Sequence, residues 1–196
     1  NNWVVRGDRT ESGLPLLAND PHLSIMMPSI WYEVGLHCVA LSDACPYNVA
    51  GFSFAGTPLV VIGHNEHIGW GVTNVGTDVQ NLYMLEINPA NPLQYRYEGA
   101  WRDMEVVTET ITPWDGPPIE HEVRLTHFGP VVNELFETPE PVALRWASAE
   151  PNRNFESLML LNKATTWEDF QAAVARFDLA AQNFVYADTA NNIGYV

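Results

Sequence analysis

Asn1-Asn2-Trp3-Val4-Val5-Arg6-Gly7-Asp8 opens the chain, and Leu14-Pro15-Leu16-Leu17-Ala18-Asn19-Asp20-Pro21 follows after a short polar stretch. Trp3-Val4-Val5 is a brief apolar run that halts at Gly7-Asp8, and Ser12-Gly13 is a second turn-like dipeptide. Apolar character resumes at Leu14 and stops at Asn19-Asp20-Pro21. The simplest reading is a tight strand–turn–strand unit at the start of the chain.

Beyond it, the first two thirds continue as strands and turns. Residues 30–39 are apolar and lie between Pro28 and Ser42-Asp43. Thr57-Pro58-Leu59-Val60-Val61-Ile62-Gly63 is a β-branched run between a proline turn and a glycine, which predicts a buried strand. Residues 68–73 form the next strand candidate. Asn81-Leu82-Tyr83-Met84-Leu85-Glu86-Ile87 is mostly apolar and suits a strand covered on both faces. Residues 95–102 and 105–112 read as paired strands with a joint at Gly99, and residues 120–126 alternate as a half-exposed strand would.

Helix comes late. Leu158, Met159 and Leu161 fall at helical spacing within residues 155–162. Thr165 with Glu168 and Thr166 with Asp169 are overlapping capping boxes, followed by Phe170, Val174 and Phe177 along one helical face. The chain then returns to strand at Phe184-Val185-Tyr186-Ala187, turns through residues 188–192, and starts a partner strand at Ile193. A hairpin that stops inside its second strand, and a start at Asn1 without Met, lead us to expect a piece of a larger or processed protein.

Composition bounds the partners. Hydrophobic residues make up 46% and charged residues 17%, enough to bury a core within one domain of 196 residues. Nine basic residues against 24 acidic ones give a net charge of −15, which repels nucleic acid and anionic membrane surfaces. That excess serves solubility, or in part holds a cation. Cys38 and Cys45 could bridge a loop or remain buried thiols; the sequence does not choose. There is no Gly-x-Ser-x-Gly elbow, phosphate-binding glycine loop or Cys-x-x-Cys pair. His64-Asn65-Glu66-His67 lacks the spacing that sets two imidazoles on one helical face for zinc.

Five blocks, in order, resemble the penicillin acylase family of N-terminal nucleophile hydrolases. Asn1-Asn2-Trp3-Val4-Val5 looks like the start of the β chain, where a Ser precedes an Asn-x-Trp run. Ala18-Asn19-Asp20-Pro21-His22-Leu23 with Trp31-Tyr32-Glu33-Val34 is similar to the second block. Gly63-His64-Asn65, Gly69-Trp70-Gly71-Val72-Thr73-Asn74 and Asp78-Val79-Gln80-Asn81-Leu82-Tyr83 resemble the third. His127-Phe128-Gly129-Pro130-Val131 and Asn183-Phe184-Val185-Tyr186-Ala187-Asp188 complete the series.

The resemblance implies an α+β fold: part of the four-layer αββα sandwich, strand-rich with two late helices, as a single domain over residues 1–196. It implies amide hydrolysis through an acyl-enzyme on a Ser freed by self-cleavage, whose α-amine is the base. Asn74 matches the position whose main-chain N–H forms half of the oxyanion hole. His22 matches a histidine that orients the nucleophile, in a place where other relatives have Gln. Leu23, Val61 and Trp146 match acyl-pocket positions, although apolar residues there serve equally as core. Gln182 departs from the pattern, falling where some relatives have an apolar pocket residue. Asp78, Gln80 and Asn81 match a calcium segment, with Asn81 in place of the family's Asp. No cofactor is implied for catalysis; calcium would be structural.

The implied partners are an acylase α chain, the remainder of the β chain, and a small acyl amide substrate. The chain alone, without the preceding Ser, is expected to be inactive and, with sheet edges bare, to self-associate. The family habit is periplasmic or secreted. Two other readings stand beside the enzyme: a non-catalytic scaffold or acyl-binding relative, and an unrelated secreted β-rich binding module.

Overall fold

The computed structural model describes residues 1–21, 23–136 and 138–196. In chain order its strands begin with β1 (Asn2–Val5), β2 (Leu16–Asn19), β3 (Trp31–His37), β4 (Asn48–Phe54), β5 (Ile62–His64) and β6 (Ile68–Asn74). Next come β7 (Gln80–Met84), β8 (Ile87–Asn88), β9 (Asn91–Tyr97), β10 (Ala100–Asp103), β11 (Glu105–Ile111), β12 (Ile119–Thr126), β13 (Gly129–Pro130) and β14 (Val142–Trp146). Helices α1 (Asn154–Leu161) and α2 (Trp167–Val174) precede β15 (Gln182–Asp188) and β16 (Ile193–Tyr195). The chain read as a single domain divides into two compact units, one of Asn1–Thr77 with Pro151–Val196 and one of Asp78–Glu150. Neither junction carries a linker-like composition that would have announced the division.

The first unit is built on a six-stranded antiparallel sheet in the order β16-β15-β6-β5-β4-β3. Strand alternation sends Trp70 and Val72 of β6, and Phe184 and Tyr186 of β15, to one face, where they meet Leu158 and Leu161 of α1 and Phe170 and Val174 of α2. On the opposite face lie Gly69, Gly71 and Asn183. Here the β1–β2 hairpin approaches, its register running from Asn2↔Asn19 to Val5↔Leu16. A Cβ added at Gly71 would lie 2.7 Å from Asn19 Cβ, so glycine is what lets the hairpin come this close.

α2 starts as its sequence requires: Thr166 is the N-cap and accepts from the Asp169 N–H. Only the second capping box forms, because Thr165 gives its N–H and hydroxyl to Asp169 at 3.1 and 3.0 Å and does not pair with Glu168. The Thr165 N–H bond is the main reason the Asp169 carboxyl is held below its ordinary pKa. The helix ends at Val174, and Phe177 packs on the core from beyond it. Cys38 and Cys45 are joined in a disulfide, which resolves the alternative left open by the sequence.

The strand readings need correction at several points. Residues 57–61 are not strand: Leu59 and Val60 are buried in a loop. The Val60 main chain is satisfied by a side chain, since its N–H donates to Asn162 Oδ1 (2.8 Å) and its C=O accepts from Asn162 Nδ2 (2.7 Å). Conversely β4 had no periodic signal, because Gly51 interrupts it where it crosses Gly63 of β5. In the second unit β7 is exposed along its whole length, not covered on both faces, because its sheet has only two strands, β14 and β7.

The second unit contains three small antiparallel sheets, β10-β9-β8, β11-β12-β13 and β14-β7. Glu98 and Gly99, both with positive φ, turn β9 into β10, so Tyr95 pairs with Arg102 inside one hairpin. β11 pairs with β12, so the two predicted segments are not partners of each other. A small core of Leu85, Tyr95, Met104 and Ala143 holds this unit together. Among the described residues no helix is long and apolar enough to cross a membrane.

Candidate functional site

The N-terminal hairpin is fixed to the sheet by asparagines. Asn1 and Asp20 continue the hairpin as a hydrogen-bonded pair: Asn1 N donates to Asp20 O and Asp20 N to Asn1 O, both at 2.7 Å. Asn2 and Asn19 are the next pair in register and therefore project side by side from the same face. Asn2 Nδ2 donates to Asn183 O on β15 at 3.1 Å. Asn19 bonds both main-chain groups of Val72 on β6, accepting from its N–H and donating to its C=O at 2.9 Å each. It also reaches Asn1 O at 3.4 Å. Asn183 Nδ2 lies 3.4 Å from Thr73 O, which closes the arrangement across β6 and β15.

This geometry determines where the Asn74 N–H points. Val75 N donates to Ala181 O, so Val75–Ala181 is a hydrogen-bonded pair of the β6–β15 ladder. Asn74 faces Gln182 and Val72 faces Phe184 in that register, and these are the alternate, non-hydrogen-bonded pairs. Phe184 accordingly exchanges bonds with Val196 on its other side. The N–H groups of Val72 and Asn74 therefore point away from β15, toward the edge where β5 has diverged; β5 pairs with β6 only at Trp70 and Gly69. Asn19 occupies that edge at Val72, and the Asn74 N–H is the next one along it.

Beside this edge is a cavity of about 480 Å³. Asn1, Thr73, Asn74 and Gln182 give it a polar side. Leu23, Trp31, Phe54, Val61, Leu158, Phe177 and Phe184 supply its apolar lining. The rings of Trp31 and Phe54 meet at a tilt with centroids 4.1 Å apart, and Phe177 meets Phe184 edge-on at 5.3 Å. A mostly apolar cavity with a few convergent polar groups is the usual form of a small-molecule site.

Of the residues singled out in the sequence, Leu23, Val61, Asn74 and Gln182 thus meet in one cavity. His22 lies outside the described residues. Trp146 belongs to the second unit, on β14 opposite Gln80, and is 44% exposed. Asp78, Gln80 and Asn81 are exposed in the same unit. Asn81 Nδ2 donates to Asp78 Oδ1 at 3.4 Å, and Arg145 stands opposite Asn81 in the β14–β7 register. Among the three side chains only Asp78 carries a carboxylate. No group of three or more metal-ligating His, Cys, Asp or Glu side chains occurs among the described residues.

The sequence reading assigned no role to Asn2, Asn19 or Phe177. Their signal was weak: asparagines in a turn-rich chain are ordinary, and only the register shows which ones span strands.

Known proteins match this arrangement. The penicillin amidase family model covers residues 1–196. An acyl-homoserine lactone acylase of Pseudomonas aeruginosa is 31% identical over 96% of this chain and 23% of its own length. A penicillin G acylase of Escherichia coli is 27% identical over 100% of this chain and 22% of its own length. The chain thus spans about a quarter of the curated relatives it matches. The solved thermostable penicillin G acylase of Alcaligenes faecalis superposes with a TM-score of 0.80 at 27% identity, over 100% of this chain and 34% of that one. The strand-rich architecture with two helices is therefore that of an N-terminal nucleophile hydrolase, and the chain belongs to the penicillin amidase family.

Proposed function

We propose that this chain is the opening part of an acylase β chain, and that the whole enzyme hydrolyses a linear acyl amide through an ester on a Ser directly before Asn1. The observation that carries this reading is that Asn1 and Asn74, whose N–H points to the open edge of β6, line one largely apolar cavity. A residue before Asn1 would continue β1 opposite Pro21, at a non-hydrogen-bonded position that asks no N–H of proline. By alternation its side chain projects with that of Asn2, toward β6 and β15.

In this reading the Ser hydroxyl attacks the amide carbonyl and its proton passes to the chain's free α-amine. The carbonyl oxygen gains charge as the tetrahedral intermediate forms, and the Asn74 N–H donates to it. The C–N bond then breaks, and the amine leaves with the proton. Water attacks the ester by the same route and releases the acid. The acyl group lies against Leu23, Val61 and Phe177, with Gln182 as a polar contact that an all-apolar pocket would lack. His22 is assigned to orienting the Ser and its amine.

The wider reading includes an α chain and the rest of the β chain as partners, and processing of a precursor. Export to an oxidising compartment is supported by the Cys38–Cys45 disulfide. A structural calcium would need most of its ligands from outside Asp78, Gln80 and Asn81.

The test begins with the residue encoded before Asn1 and the mass of the mature chain, then a panel of phenylacetyl and hexanoyl-to-dodecanoyl p-nitroanilides. Replacing the preceding Ser by Ala should abolish turnover. Asn74→Pro, which removes the main-chain donor, should lower kcat roughly 10²–10³-fold, while Asn74→Ala stays near wild type. A preceding residue without hydroxyl or thiol would leave the non-catalytic acyl-binding scaffold as the better reading.

A further inference from the structure

We infer that Asn19 is a positioning residue for the reaction proposed above. Its carboxamide substitutes for a missing strand partner of β6 and so sets the spacing between the N-terminal strand and the Asn74 N–H. The inference rests on that functional reading.

Three contacts carry it. Asn19 satisfies Val72 on both its N–H and C=O at 2.9 Å, a pairing normally made by another strand. It touches Asn1 O as well, so one side chain joins the residue that leads into β1 to β6. Two residues beyond Val72 comes Asn74, whose N–H points to the same edge by strand alternation. No other side chain among the described hydrogen bonds connects Asn1 to this edge. Gly71 belongs to the same device, because its missing Cβ leaves room for Asn19, whose Oδ1 would be 2.9 Å from it.

A reaction that depends on nucleophile and oxyanion donor being held at a set spacing is sensitive to displacements of about 1 Å, worth up to about 100-fold in rate. If Asn19 sets that spacing, losing it affects the chemical step more than substrate binding, because the walls formed by Phe177, Leu158 and Val61 stay in place.

The experiment compares full-length processed enzyme with Asn19→Asp, Asn19→Ala and Gly71→Ala. Asn19→Asp is nearly isosteric: it keeps the acceptor for the Val72 N–H and loses the donor to the Val72 C=O. Each variant should lower kcat by about 10–100-fold on the p-nitroanilide that wild type prefers, with KM changed less than about threefold. In Asn19→Ala and Gly71→Ala, which remove or displace the acceptor, amide hydrogen exchange at Val72 should quicken at least about tenfold; Asn19→Asp keeps it and reads the loss of the donor through kcat alone. Quickened exchange with unchanged kcat in folded Asn19→Ala, or unchanged kcat in folded Asn19→Asp, would reduce Asn19 to a structural anchor and overturn the proposal. Unchanged exchange at Val72 in Asn19→Ala would overturn it as well. A wild-type enzyme that turns over no acyl amide would defeat the functional reading instead, a result the exchange measurement does not share.

Discussion

The two units of the chain are held together differently. In the first, one sheet of six strands is backed by two helices, and Trp70, Val60, Leu161, Phe170 and Tyr186 are almost wholly buried in one continuous core. In the second, three sheets of two or three strands share a small core around Leu85, Tyr95, Met104 and Ala143, with Val132 and Val142 also buried, and much of β7, β10 and β11 is exposed. All the residues around the candidate cavity come from the first unit. Positioning groups to a fraction of an ångström needs elements whose rotamers are locked by packing, and among the described residues the first unit has the larger buried core.

Truncating Phe170 puts that contrast to its hardest test. Its ring meets Trp167 at 5.4 Å and Tyr186 at 5.0 Å inside the core, so Phe170→Ala should cost about 4 kcal/mol in denaturant unfolding of the full protein. A cost below about 1 kcal/mol would mean that the first unit is no better packed than the second. Next comes Asn162→Ala, which strips partners from both main-chain groups of buried Val60. About 3 kcal/mol should be lost, and hydrogen exchange should localise the loss to the first unit.

In the second unit the effects should be smaller. Tyr95 donates to or accepts from His127 Nδ1 at 2.8 Å, and Tyr95→Phe should cost about 1 kcal/mol, confined to exchange within residues 78–150. The smallest effect is on pH dependence. Burial, and after it the charge of Arg102, hold His127 below the ordinary imidazole pKa, with Glu98 opposing. The unfolded chain then binds the proton more readily than the native fold. His127's contribution should be intact above about pH 6.5 and lost as pH falls from there toward its native value. His127→Gln should flatten that part of the stability profile; a profile unchanged by the substitution would show that this histidine titrates as if free.

Local patterns were legible wherever one residue's chemistry suffices. The turn at Gly99, the N-cap Thr166 and the helices around Leu158 and Phe170 follow from spacing and capping alone. The readings failed where a neighbour decides. Residues 57–61 look like a strand, but Asn162, about a hundred positions away, takes the strand partner's place. β7 looks like a buried strand and is exposed because it pairs with β14 alone. At the site, Leu23, Val61, Asn74 and Gln182 were legible as positions resembling a family. That they share a cavity was not.

The sequence by itself determined the family, through five ordered blocks, and the inventory of turns, caps and apolar runs, because those depend on residues near one another along the chain. Only the tertiary structure decided which asparagines bridge strands, which edge of β6 is left open, and that Asn74 and Asn1 border one cavity. The physical reason is that a main-chain N–H carries no side-chain label. Its direction is set by pairing register, and register is a property of two strands at once.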